Sequence, residues 1–576
     1  MEVPPAGGWR DLLHYIPLTE RNVRIIMELE PKLLELLRNR GIESEEDIRE
    51  FLSDKPRRTY DPFLLPDMEE GVDCILSAIE DGQKICIFGD YDADGVTSTT
   101  ILWEVLSRLT DNLMYYIPSR FGEGYGLSRG AIDRVREQGA GFLVTVDCGS
   151  VSVDEVAYAR SLGMGVVVTD HHTVSDRMAD CPVINPARPD SGYPFSYLAG
   201  CGVAFKTAQA LSEITGLPKR VLTRTLDLVA IGTIGDIVPL KDENRTLAKY
   251  GLRVINTGER KNLDRLIRAC GLKPGHVTAE NVSFVLVPHI NAAGRMEHAR
   301  LAAELFMTKD NGQADARVED LIRCNSGRKS AQERIYEECV RRVESDFRQD
   351  DFLTVDLPDA NEGVTGIAAG KLKDRYYKPA VILTPIGDGM YKGTGRGIEG
   401  VNLYDMLKEN EELFTNFGGH AAACGFTMKA GALETLRSNL NRQAAALRAG
   451  KPELWERHIV PDLVLEADEV NRELAEQFTL LEPCGCQNEK PLVRFRAAAD
   501  SVRRIGENGK YLCFDAELEN MQRVRCIAFR AAEEARDVLE QAGGSAVQVT
   551  GSLQEKTWNG RSYLEMLVAE VENPRD

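Results

Sequence analysis

The chain has 576 residues, of which 43% are hydrophobic and 28% charged, and its formal net charge is −20. This length exceeds what one hydrophobic core supports and predicts about three or four domains, and the absence of a long apolar run argues against a membrane protein. An acidic chain is not typical of nucleic-acid-binding proteins, but an enzyme channel can be locally basic, so the net charge does not decide the substrate.

Cysteine usage and the N-terminus both favour a cytoplasmic protein. The cysteines, 13 in number, are scattered singly inside apolar runs, a pattern typical of buried thiols in a reducing compartment. The first residues, Met-Glu-Val-Pro-Pro, lack the basic region and apolar stretch of a secretory signal. Residues 1–60 alternate helical patterns with polar turns, and we predict a small helical segment there.

The pattern changes at about residue 61 to short runs rich in Val and Ile, separated by amphipathic segments. This alternation indicates a parallel α/β sheet. Four strands are predicted, at 85–89, 113–117, 142–146 and 165–169.

An acidic cluster follows the first of these strands. Asp90, Asp92 and Asp94 lie within five residues, and Gly95 then leads into a helical run. Carboxylates this close repel one another, and cations between them would relieve the repulsion. An Asp-rich turn without a metal is the alternative, and ligands elsewhere in the chain must decide between the two.

Acidic residues also follow the third and fourth strands, as Asp147 and Asp170. The carboxyl ends of parallel strands lie along one edge of a sheet, where ligands bind, so these carboxylates are expected to converge. Separate Asp turns on neighbouring strands are a less economical explanation. His171 and His172 place imidazoles at the same edge, which favours metal and phosphate chemistry.

Two further segments offer candidate site residues. The loop 117–127 carries Arg120 and Tyr125 among glycines, and it suits phosphate approach about as well as it suits a plain surface loop. Farther on, Asp227 precedes an apolar, glycine-containing run and Asp236 follows it. By the strand-end argument Asp236 is the better ligand candidate, whereas Asp227 is equally well explained as a supporting or capping residue.

These motifs, taken in order, resemble those of a known family. Asp92-Ala-Asp94-Gly, Asp147, Asp170-His-His172 and Gly-Asp236 resemble the four motifs of the DHH phosphoesterase superfamily. The segments 90–95, 123–126, 232–240 and 291–296 are similar to its RecJ branch, the single-strand-specific DNA exonucleases. The similarity covers nearly the whole chain after about residue 60.

The second half of the chain extends the resemblance. A polar helical stretch at about 311–347 precedes a return to α/β texture, in which Arg396 and the run Gly418-Gly419-His420 stand out. A Gly-Gly-His run suits phosphate binding, although a tight turn with a structural histidine is the simpler explanation of these residues alone. The resemblance implies a DHH-associated domain that grips substrate across a cleft from the metals.

Residues 459–576 predict a small β-barrel, from short strands at 511–517, 523–529 and 546–550 and a hairpin at 556–561. The resemblance implies an OB-fold. Several residues combine cations with an aromatic ring, as a single-strand platform requires, although ordinary exposed strands carry the same residue types. They are Arg523, Arg525, Lys556, Trp558 and Arg561.

The predicted fold class is α/β, with a parallel-sheet DHH catalytic domain, a long connecting helix, a second smaller α/β DHH-associated domain and a C-terminal OB-fold β-barrel. The expected boundaries are 1–60 for the helical N-terminal segment, 61–305 for the catalytic domain, 306–348 for the connecting helix, 349–450 for the DHH-associated substrate-binding domain and 451–576 for the barrel with its linker.

The resemblance implies two-metal phosphodiester hydrolysis with two Mn²⁺ or Mg²⁺ ions per site. Asp92 and Asp94 are expected on separate ions with Asp147 between them. His171 and Asp236 are expected to complete the coordination of the second ion, and Asp90 to support the first. The implied catalytic residues are Asp92, Asp94, Asp147, His171, His172 and Asp236, and the implied substrate-binding residues are Arg120, Tyr125, His172, Arg295, Arg396, Gly418, Gly419 and His420. Asp170 is expected to orient the histidines.

The implied function is removal of mononucleotides from the 5′ end of single-stranded DNA in repair and recombination. A single-strand-binding protein or a helicase is an expected partner, and no membrane is. One alternative is a DHH phosphodiesterase for short oligonucleotides or cyclic dinucleotides, which has no use for a distant barrel. The other is a non-catalytic nucleic-acid-binding scaffold, which does not need every ligand position filled.

The chain departs from the family pattern at three places. Phe88 stands where related pyrophosphatases have a histidine, and Asp90 is a candidate to replace that ligand. Asn361-Glu362-Gly replaces the usual Trp-His-Pro-Gly, and His289 replaces an arginine before Asn-Ala-Ala-Gly-Arg. The last two changes lie near expected substrate-binding surfaces and leave the metal motifs intact.

Overall fold

The computed structural model describes residues 29–124, 126–174, 177–529, 532–558 and 560–573, apart from the side chains of Asn508 and Trp558. The helices are α1 Pro31–Asn39, α2 Glu45–Leu52, α3 Met68–Glu80, α4 Ala93–Leu106, α5 Arg129–Glu137, α6 Val153–Ser161, α7 Gly200–Thr215, α8 Lys219–Gly235, α9 Asp242–Thr257, α10 Lys261–Ala269, α11 (the turn Ala279–Asn281, the π-helical stretch Val282–Leu286 and Val287–Met296), α12 Arg300–Met307, α13 Asn311–Arg342 with a π-helical end Val343–Phe347, α14 Glu362–Tyr376, α15 Leu403–Lys408, α16 Leu433–Gly450, α17 Arg472–Gln477 and α18 Ala532–Ala542.

The strands are β1 Ile85–Phe88, β2 Leu113–Tyr116, β3 Phe142–Val146, β4 Gly165–Thr169, β5 Val183–Ile184, β6 Leu353–Asp356, β7 Ala380–Gly387, β8 Met390–Arg396, β9 Phe414–His420, β10 Ala423–Lys429, β11 Leu463–Val464, β12 Val493–Ile505, β13 Tyr511–Glu517, β14 Arg523–Ala528, β15 Ala546–Trp558 and β16 Arg561–Glu572. Short 3-10 turns lie at Pro62–Leu64, Glu411–Leu413, Ala430–Ala432, Pro452–Trp455, Phe478–Leu481 and Glu507–Gly509.

The first sheet is wholly parallel and has the strand order β2-β1-β3-β4-β5. β1 and β3 are completely buried, because helices cover both faces of such a sheet, and this explains their continuous apolar runs. All four predicted strands are confirmed, and the first two end one residue earlier than expected. The order places the carboxyl ends of β1, β3 and β4 side by side.

Helix α4 starts just beyond β1 and packs against α7 and α8. Its N-cap is Asp92, whose carboxylate accepts hydrogen bonds from the backbone N–H groups of Asp94 at 2.9 Å and Gly95 at 3.1 Å. Gly232 on α8 permits close packing, because a Cβ there would lie 2.4 Å from Thr97 Oγ1. Asp236 follows the helix α8 and not a strand, so the strand-end argument for this residue is wrong. A short apolar run does not distinguish a strand from a buried helix.

The long helix α13 joins the first sheet region to the second sheet, as the sequence predicts. Its 32 residues pack against α11 and α14. The second sheet has the order β6-β7-β8-β10-β9, in which β6 and β7 are parallel and the other neighbours antiparallel. With α14 and α16 it forms the predicted smaller α/β unit.

The third sheet has the order β11-β12-β13-β14-β16-β15, and it closes into the predicted barrel because β12 also pairs with β15. Helices α1 and α2 pack on this barrel, and Leu33, Leu36 and Leu37 are fully buried in its core cluster. The N-terminal helices and the C-terminal strands thus share one core. None of the helices in the described ranges is long and apolar enough to cross a membrane.

Arg245 on α9 ties α2 and the segment before the barrel to the first sheet region. The side chain is buried, and burial lowers the pKa of Arg245 to about 10, so it remains charged at neutral pH. Its guanidinium donates hydrogen bonds to the backbone carbonyl oxygens of Phe51, Leu480, Leu481, Glu482 and Pro483. One side chain therefore satisfies carbonyls from two distant segments.

We expect Arg245→Ala to lower the free energy of unfolding by about 3 kcal/mol, because it leaves several buried carbonyl oxygens without a donor. The measurement is the melting temperature followed by circular dichroism. Arg253→Ala is the matched control on the same helix, since the ion pair between Arg253 and Asp54 spans 4.0 Å and such a pair is worth about 0.5 kcal/mol. Equal shifts in both variants would contradict the role given to Arg245.

Candidate functional site

The residues predicted as metal ligands converge at the carboxyl edge of the first sheet, and we call them the acidic centre. They form three sets whose ligand atoms lie within 4.8 Å of one another. The sets are Asp90, Asp92 and Asp147; Asp94, His171 and Asp236; and Asp147, His171 and His172. Asp147 and His171 each belong to two sets, so the sets adjoin.

Strained backbone marks one residue of the acidic centre and the residue that follows another. Asp147, directly after β3, has a φ of +60°, and Ile237, next to Asp236, has a φ of +62°. The side chain of Ile237 is 70% exposed, so burial does not explain its conformation. Residues other than glycine adopt this region at a cost of about 1–3 kcal/mol, and they persist where the surrounding structure imposes it, often at functional sites.

Ligand atoms of the acidic centre lack ordinary hydrogen-bond partners. His171 Nε2 lies 3.1 Å from Asp147 Oδ1, 3.6 Å from Asp236 Oδ2 and 3.8 Å from Asp94 Oδ2. This nitrogen and Asp90 Oδ1 are both buried, and neither has a hydrogen-bond partner among the described residues. Buried, unpartnered oxygen and nitrogen atoms at this spacing fit divalent cations.

Burial and crowding oppose ionisation of the acidic centre. Burial raises the pKa of Asp147 well above its ordinary value, and the charges of Asp94 and Asp92 raise it further. Burial, followed by the charge of Asp94, raises the pKa of Asp236 to about 8. Cations bound among these groups would lower such pKa values again. The residues present therefore fit a two-ion site.

Asp170 orients the histidine pair, as expected from the sequence. Its Oδ1 accepts hydrogen bonds from His172 Nδ1 and from the backbone N–H of His171, both at 2.7 Å. Burial alone would raise the pKa of Asp170, but the hydrogen bond and charge of His172 keep it below its ordinary value. Burial alone would lower the pKa of His172, yet Asp170 raises it to about 9. Asp170 thus favours the protonated form of His172.

Two questions that the sequence left open have structural answers. Asp227 lies inside α8 and forms a buried ion pair with Arg260, with 2.6 Å between Oδ2 and Nε. It is in none of the ligand sets found among the described residues. Phe88 is core: its ring stacks on Tyr116 with centroids 5.4 Å apart. Asp90, in contrast, lies within the acidic centre.

Beside the acidic centre lies a group of cations that we call the arginine cluster: Arg120, Arg295, Arg328 and Arg396. Burial, followed by the charges of Arg120 and Arg328, lowers the pKa of Arg295 to about 10. Arg295 also interacts with the charge of Asp92, and Arg120 with that of Asp90. None of the four forms an ion pair with a carboxylate in the described part of the chain. Adjacent guanidinium groups that form no ion-pair contact among the described residues favour an anionic ligand.

Different elements supply the arginine cluster. Arg120, in the loop after β2, lies over the Tyr91 ring, 4.5 Å from its centroid. Arg295, near the end of α11, donates a hydrogen bond to the Gly363 carbonyl at 3.0 Å. Arg396 ends β8 beside the first turn of α14, where a Cβ on Gly366 would lie 2.9 Å from its Nη2. The N-terminus of α14 adds a partial positive charge to the same place.

Sequence reasoning missed Arg328, which lies on α13 within Asn325-Ser-Gly-Arg-Lys. A single arginine on a polar helix is usually a solvated residue, so the residue type alone does not indicate a binding site. The one local hint is Gly327 in the middle of the helix. A Cβ there would lie 3.5 Å from the Met296 side chain, so the glycine marks where α11 and α13 approach.

The predicted Gly-Gly-His run lies at the end of β9, not in a tight turn. β10 pairs Ala423 with Arg396 on β8 and with His420 on β9. Arg396 and His420 therefore lie in one row on the same sheet face, about 10 Å apart. Gly418 and Gly419 precede His420 on this exposed edge strand.

The segment that departs from the family pattern starts α14. Asn361 is the N-cap and accepts a hydrogen bond from the Gly363 N–H at 2.8 Å. Glu362 forms an ion pair with Lys392 at 2.9 Å. Asn361 thus caps the start of α14, and the negative charge of Glu362 is paired with Lys392.

The predicted barrel platform residues lie on the neighbouring strands β14, β16 and β15, and Lys556 on β15 pairs with Tyr563 on β16. Arg523 pairs with Glu517 at 2.8 Å, and Arg525 lies over the Tyr563 ring at 4.9 Å. Lys556 and Arg561 are exposed near the β15–β16 turn. The Trp558 side chain and Tyr125 lie outside the described residues.

A second set of barrel residues was not singled out by the sequence. Tyr511 and Phe529 meet edge to face at 4.9 Å, and Lys510 lies 6.0 Å from the Tyr511 ring. Arg503, on the neighbouring strand, forms no ion pair within the described ranges. This set combines aromatic rings with cations that lack an acidic partner.

Comparisons with known proteins agree with the fold and the site. The chain matches the DHH family, N-terminal domain, over residues 84–233, the DHHA1 domain over 349–446 and the RecJ OB domain over 461–570. A single-stranded-DNA-specific exonuclease RecJ from Bacillus subtilis (strain 168) is 36% identical over 552 residues, which cover 95% of this chain and 68% of that protein. The protein of the same name from Escherichia coli (strain K12) is 32% identical over 503 residues, covering 83% and 86%.

Among solved structures, the crystal structure of RecJ in complex with Mn²⁺ from Thermus thermophilus has a TM-score of 0.79 and 28% sequence identity. It covers 100% of this chain and 79% of the other.

A parallel sheet that gathers Asp-x-Asp, Asp147, Asp170-His-His and Asp236 at its carboxyl edge defines a DHH-family protein. Within the DHH family, the RecJ branch is indicated by the DHHA1 and RecJ OB matches. Relatives above 30% identity over most of their length indicate the same branch. The chain belongs to the RecJ family, which confirms the resemblance seen in the sequence.

In EDTA, we expect Asp236→Asn to be more stable than the wild-type chain, by a margin that widens from about pH 5 to about pH 8. The folded-state pKa of Asp236, about 8, exceeds its ordinary value of 3.8. The carboxyl group therefore stabilises the folded state when protonated, and this contribution is lost as pH rises through the folded-state pKa. Asparagine does not ionise, so its contribution to stability does not change with pH.

The measurement is the difference in melting temperature between the two proteins across that pH range. Saturating Mn²⁺ should reverse the order, because the ion restores a favourable partner for the wild-type carboxylate. A difference in melting temperature that does not change with pH would contradict the raised pKa of Asp236.

Proposed function

We propose that the protein is a metal-dependent exonuclease specific for single-stranded DNA, which hydrolyses phosphodiester bonds from the 5′ end and releases mononucleotides. One observation carries this proposal: the arginine cluster, without ion-pair partners among the described residues, adjoins the acidic centre. A phosphate held by these arginines would lie beside the carboxylates that fit divalent cations. The relatives named single-stranded-DNA-specific exonuclease support the substrate class.

The acidic centre would hold two Mn²⁺ or Mg²⁺ ions. Asp90, Asp92 and Asp147 would hold the first, and Asp94, His171 and Asp236 the second. Asp147 Oδ1 also lies 3.1 Å from His171 Nε2 of the second set. When bound, the ions supply Lewis-acid activation of water and neutralise charge on the phosphoryl oxygens. RecJ structures with Mn²⁺ and with Mg²⁺ support this choice of ions.

The chain's own residues then position and neutralise the substrate. His172, held as a cation by Asp170, would donate its Nε2–H to a phosphoryl oxygen and so stabilise developing negative charge. Arg295, which interacts with both Asp92 and the other arginines, would bridge the acidic centre and the bound phosphate. A terminal phosphate monoester carries more charge than an internal phosphodiester, so the arginine cluster suits a strand with a terminal phosphate, and we propose that this is the 5′ phosphate.

The barrel and the second sheet would hold the rest of the strand. His420, in the same sheet row as Arg396, extends the phosphate path across the second sheet. Tyr511, Phe529 and Arg503 of the barrel would stack bases and follow the backbone of the strand. This arrangement explains how an acidic protein handles a polyanion through local basic surfaces.

The expected setting of this activity is repair and recombination in the cytoplasm. The cysteines of the described chain are all free thiols, as in a reducing compartment. An enzyme restricted to single strands depends on another protein to expose them, so a helicase or a single-strand-binding protein is the expected partner.

Digestion of end-labelled strands tests the proposed function. With Mn²⁺, 5′-labelled single-stranded DNA should release labelled mononucleotides at once, while 3′-labelled DNA should shorten progressively. EDTA should stop both, and RNA should be a poor substrate. The backbone N–H groups of Gly200 and Cys201 donate to different carboxylate oxygens of Asp94, and Asp94→Asn keeps an acceptor for one of them. This variant should lose activity, and circular dichroism should show that it stays folded. Release from the 3′ end, or digestion in EDTA, would refute the proposal.

Asp90→Ala should weaken the affinity for the first metal ion at least about tenfold, because it removes a ligand at the place where Phe88 cannot supply one. Isothermal titration with Mn²⁺ measures this affinity. Asp111→Ala removes an exposed carboxylate just before β2, at the amino edge of the same sheet, and should titrate as wild type. Wild-type metal affinity in Asp90→Ala would make Asp90 a turn residue only.

A further inference from the structure

His289 stands where the family pattern has an arginine, and it has no role in the proposed function as described so far. It lies on α11 and is buried, with 8% of its surface exposed. We propose, on the basis of the proposed function, that His289 is a positioning residue: through Asn325 it holds Arg328 in the orientation that the phosphate requires.

Three hydrogen bonds connect α11 to the arginine cluster. His289 Nδ1 lies 2.7 Å from the Val285 carbonyl oxygen, and its Nε2 lies 2.9 Å from Asn325 Nδ2. Arg328 Nε lies 3.0 Å from Asn325 Oδ1. Asn325 is 2% exposed, so water does not compete for these groups.

The chemistry of the groups assigns one direction to this relay. A carbonyl oxygen only accepts, so the proton of neutral His289 sits on Nδ1, and Nε2 must accept. Nε2 accepts from the Asn325 amide N–H, which turns the Asn325 carbonyl oxygen toward Arg328. That oxygen then accepts from the Nε–H of Arg328. Every donor in the relay has an acceptor, and no other assignment of the Asn325 amide satisfies all three contacts.

The environment keeps His289 in the neutral form that the relay needs. Burial lowers the pKa of His289, more than the bond to Val285 raises it, and the charges of Lys329 and Arg328 lower it further. The thiol of Cys270 also lies 3.5 Å from Nδ1 of His289. An arginine at position 289, the residue usual in the family pattern, has no acceptor atom and could not complete the same relay.

The relay orients the guanidinium of Arg328. Its Nε bonds to Asn325 and its Nη1 to Gln332 Oε1 at 2.8 Å, so both contacts come from α13 itself. The remaining N–H groups make no hydrogen bond to the described residues and would bind an anion in the arginine cluster. A guanidinium ordered before binding loses less conformational entropy when the phosphate arrives.

A double-mutant cycle tests whether His289 acts through Arg328. The variants are His289→Leu, Arg328→Gln and the pair, and the substrate is a 5′-phosphorylated oligothymidylate with Mn²⁺. His289→Leu should lower kcat/KM about tenfold, the effect of one hydrogen bond to a charged group. In the Arg328→Gln background the same change should have less than about a threefold effect. A tenfold loss in both backgrounds, or no loss in either, would overturn the proposal.

Further variants separate positioning from folding. His289→Gln offers one acceptor and one donor and should recover most of the activity lost in His289→Leu. Asn325→Ala cuts the relay at its centre and should show the same dependence on Arg328, which keeps the test valid if His289→Leu fails to fold. His276→Leu changes an exposed histidine outside the relay and should behave as wild type. Melting temperatures of all variants report on folding.

Binding measured without catalysis distinguishes failure of this inference from failure of the proposed function. In EDTA, fluorescence anisotropy with the same 5′-phosphorylated oligonucleotide should show weaker binding for His289→Leu only when Arg328 is present. An inactive wild-type protein would refute the proposed function. An active wild type with independent, additive effects of the two substitutions would refute the relay alone.

Discussion

The mutual repulsion of buried carboxylates is the constraint on which this structure depends. A parallel sheet brings the ends of β1, β3 and β4 together, and each end carries an aspartate. Burial and like charge raise the pKa of Asp147 and Asp236, so the ionised centre is unfavourable without cations. Backbone strain at Asp147 and the tight contact with Gly200 show that the fold enforces this crowding.

The arginine cluster presents the opposite problem next to the acidic centre. Burial, followed by the charges of Arg120 and Arg328, lowers the pKa of Arg295, so these guanidinium groups are unfavourable without an anion. The two unsatisfied charge clusters are complementary to the two charge types of one ligand complex, divalent cations and phosphate. The net charge of −20 does not indicate a phosphate ligand, because it sums over the whole chain and the arginine cluster is a local feature.

Much of the fold followed from local pattern. The buried strands β1 and β3 read as apolar runs, and the long polar helix α13 was visible from its composition. The run before Asp236 was misassigned because a short apolar segment with glycines suits a strand or a helix equally. Gly232 serves close helix packing there. Arg328 gave no signal because its role depends on which residues of other elements surround it.

The sequence by itself determined the family, the order of the motifs and the residue types of the acidic centre, because these follow from short-range spacing and strand periodicity. Tertiary structure decided which distant groups meet. It placed Arg328 beside Arg295, joined His289 to Asn325 and packed α1 onto the barrel. It also assigned Asp227 to Arg260 rather than to the acidic centre. Such pairings depend on the packing of elements far apart in the chain, and no local pattern encodes them.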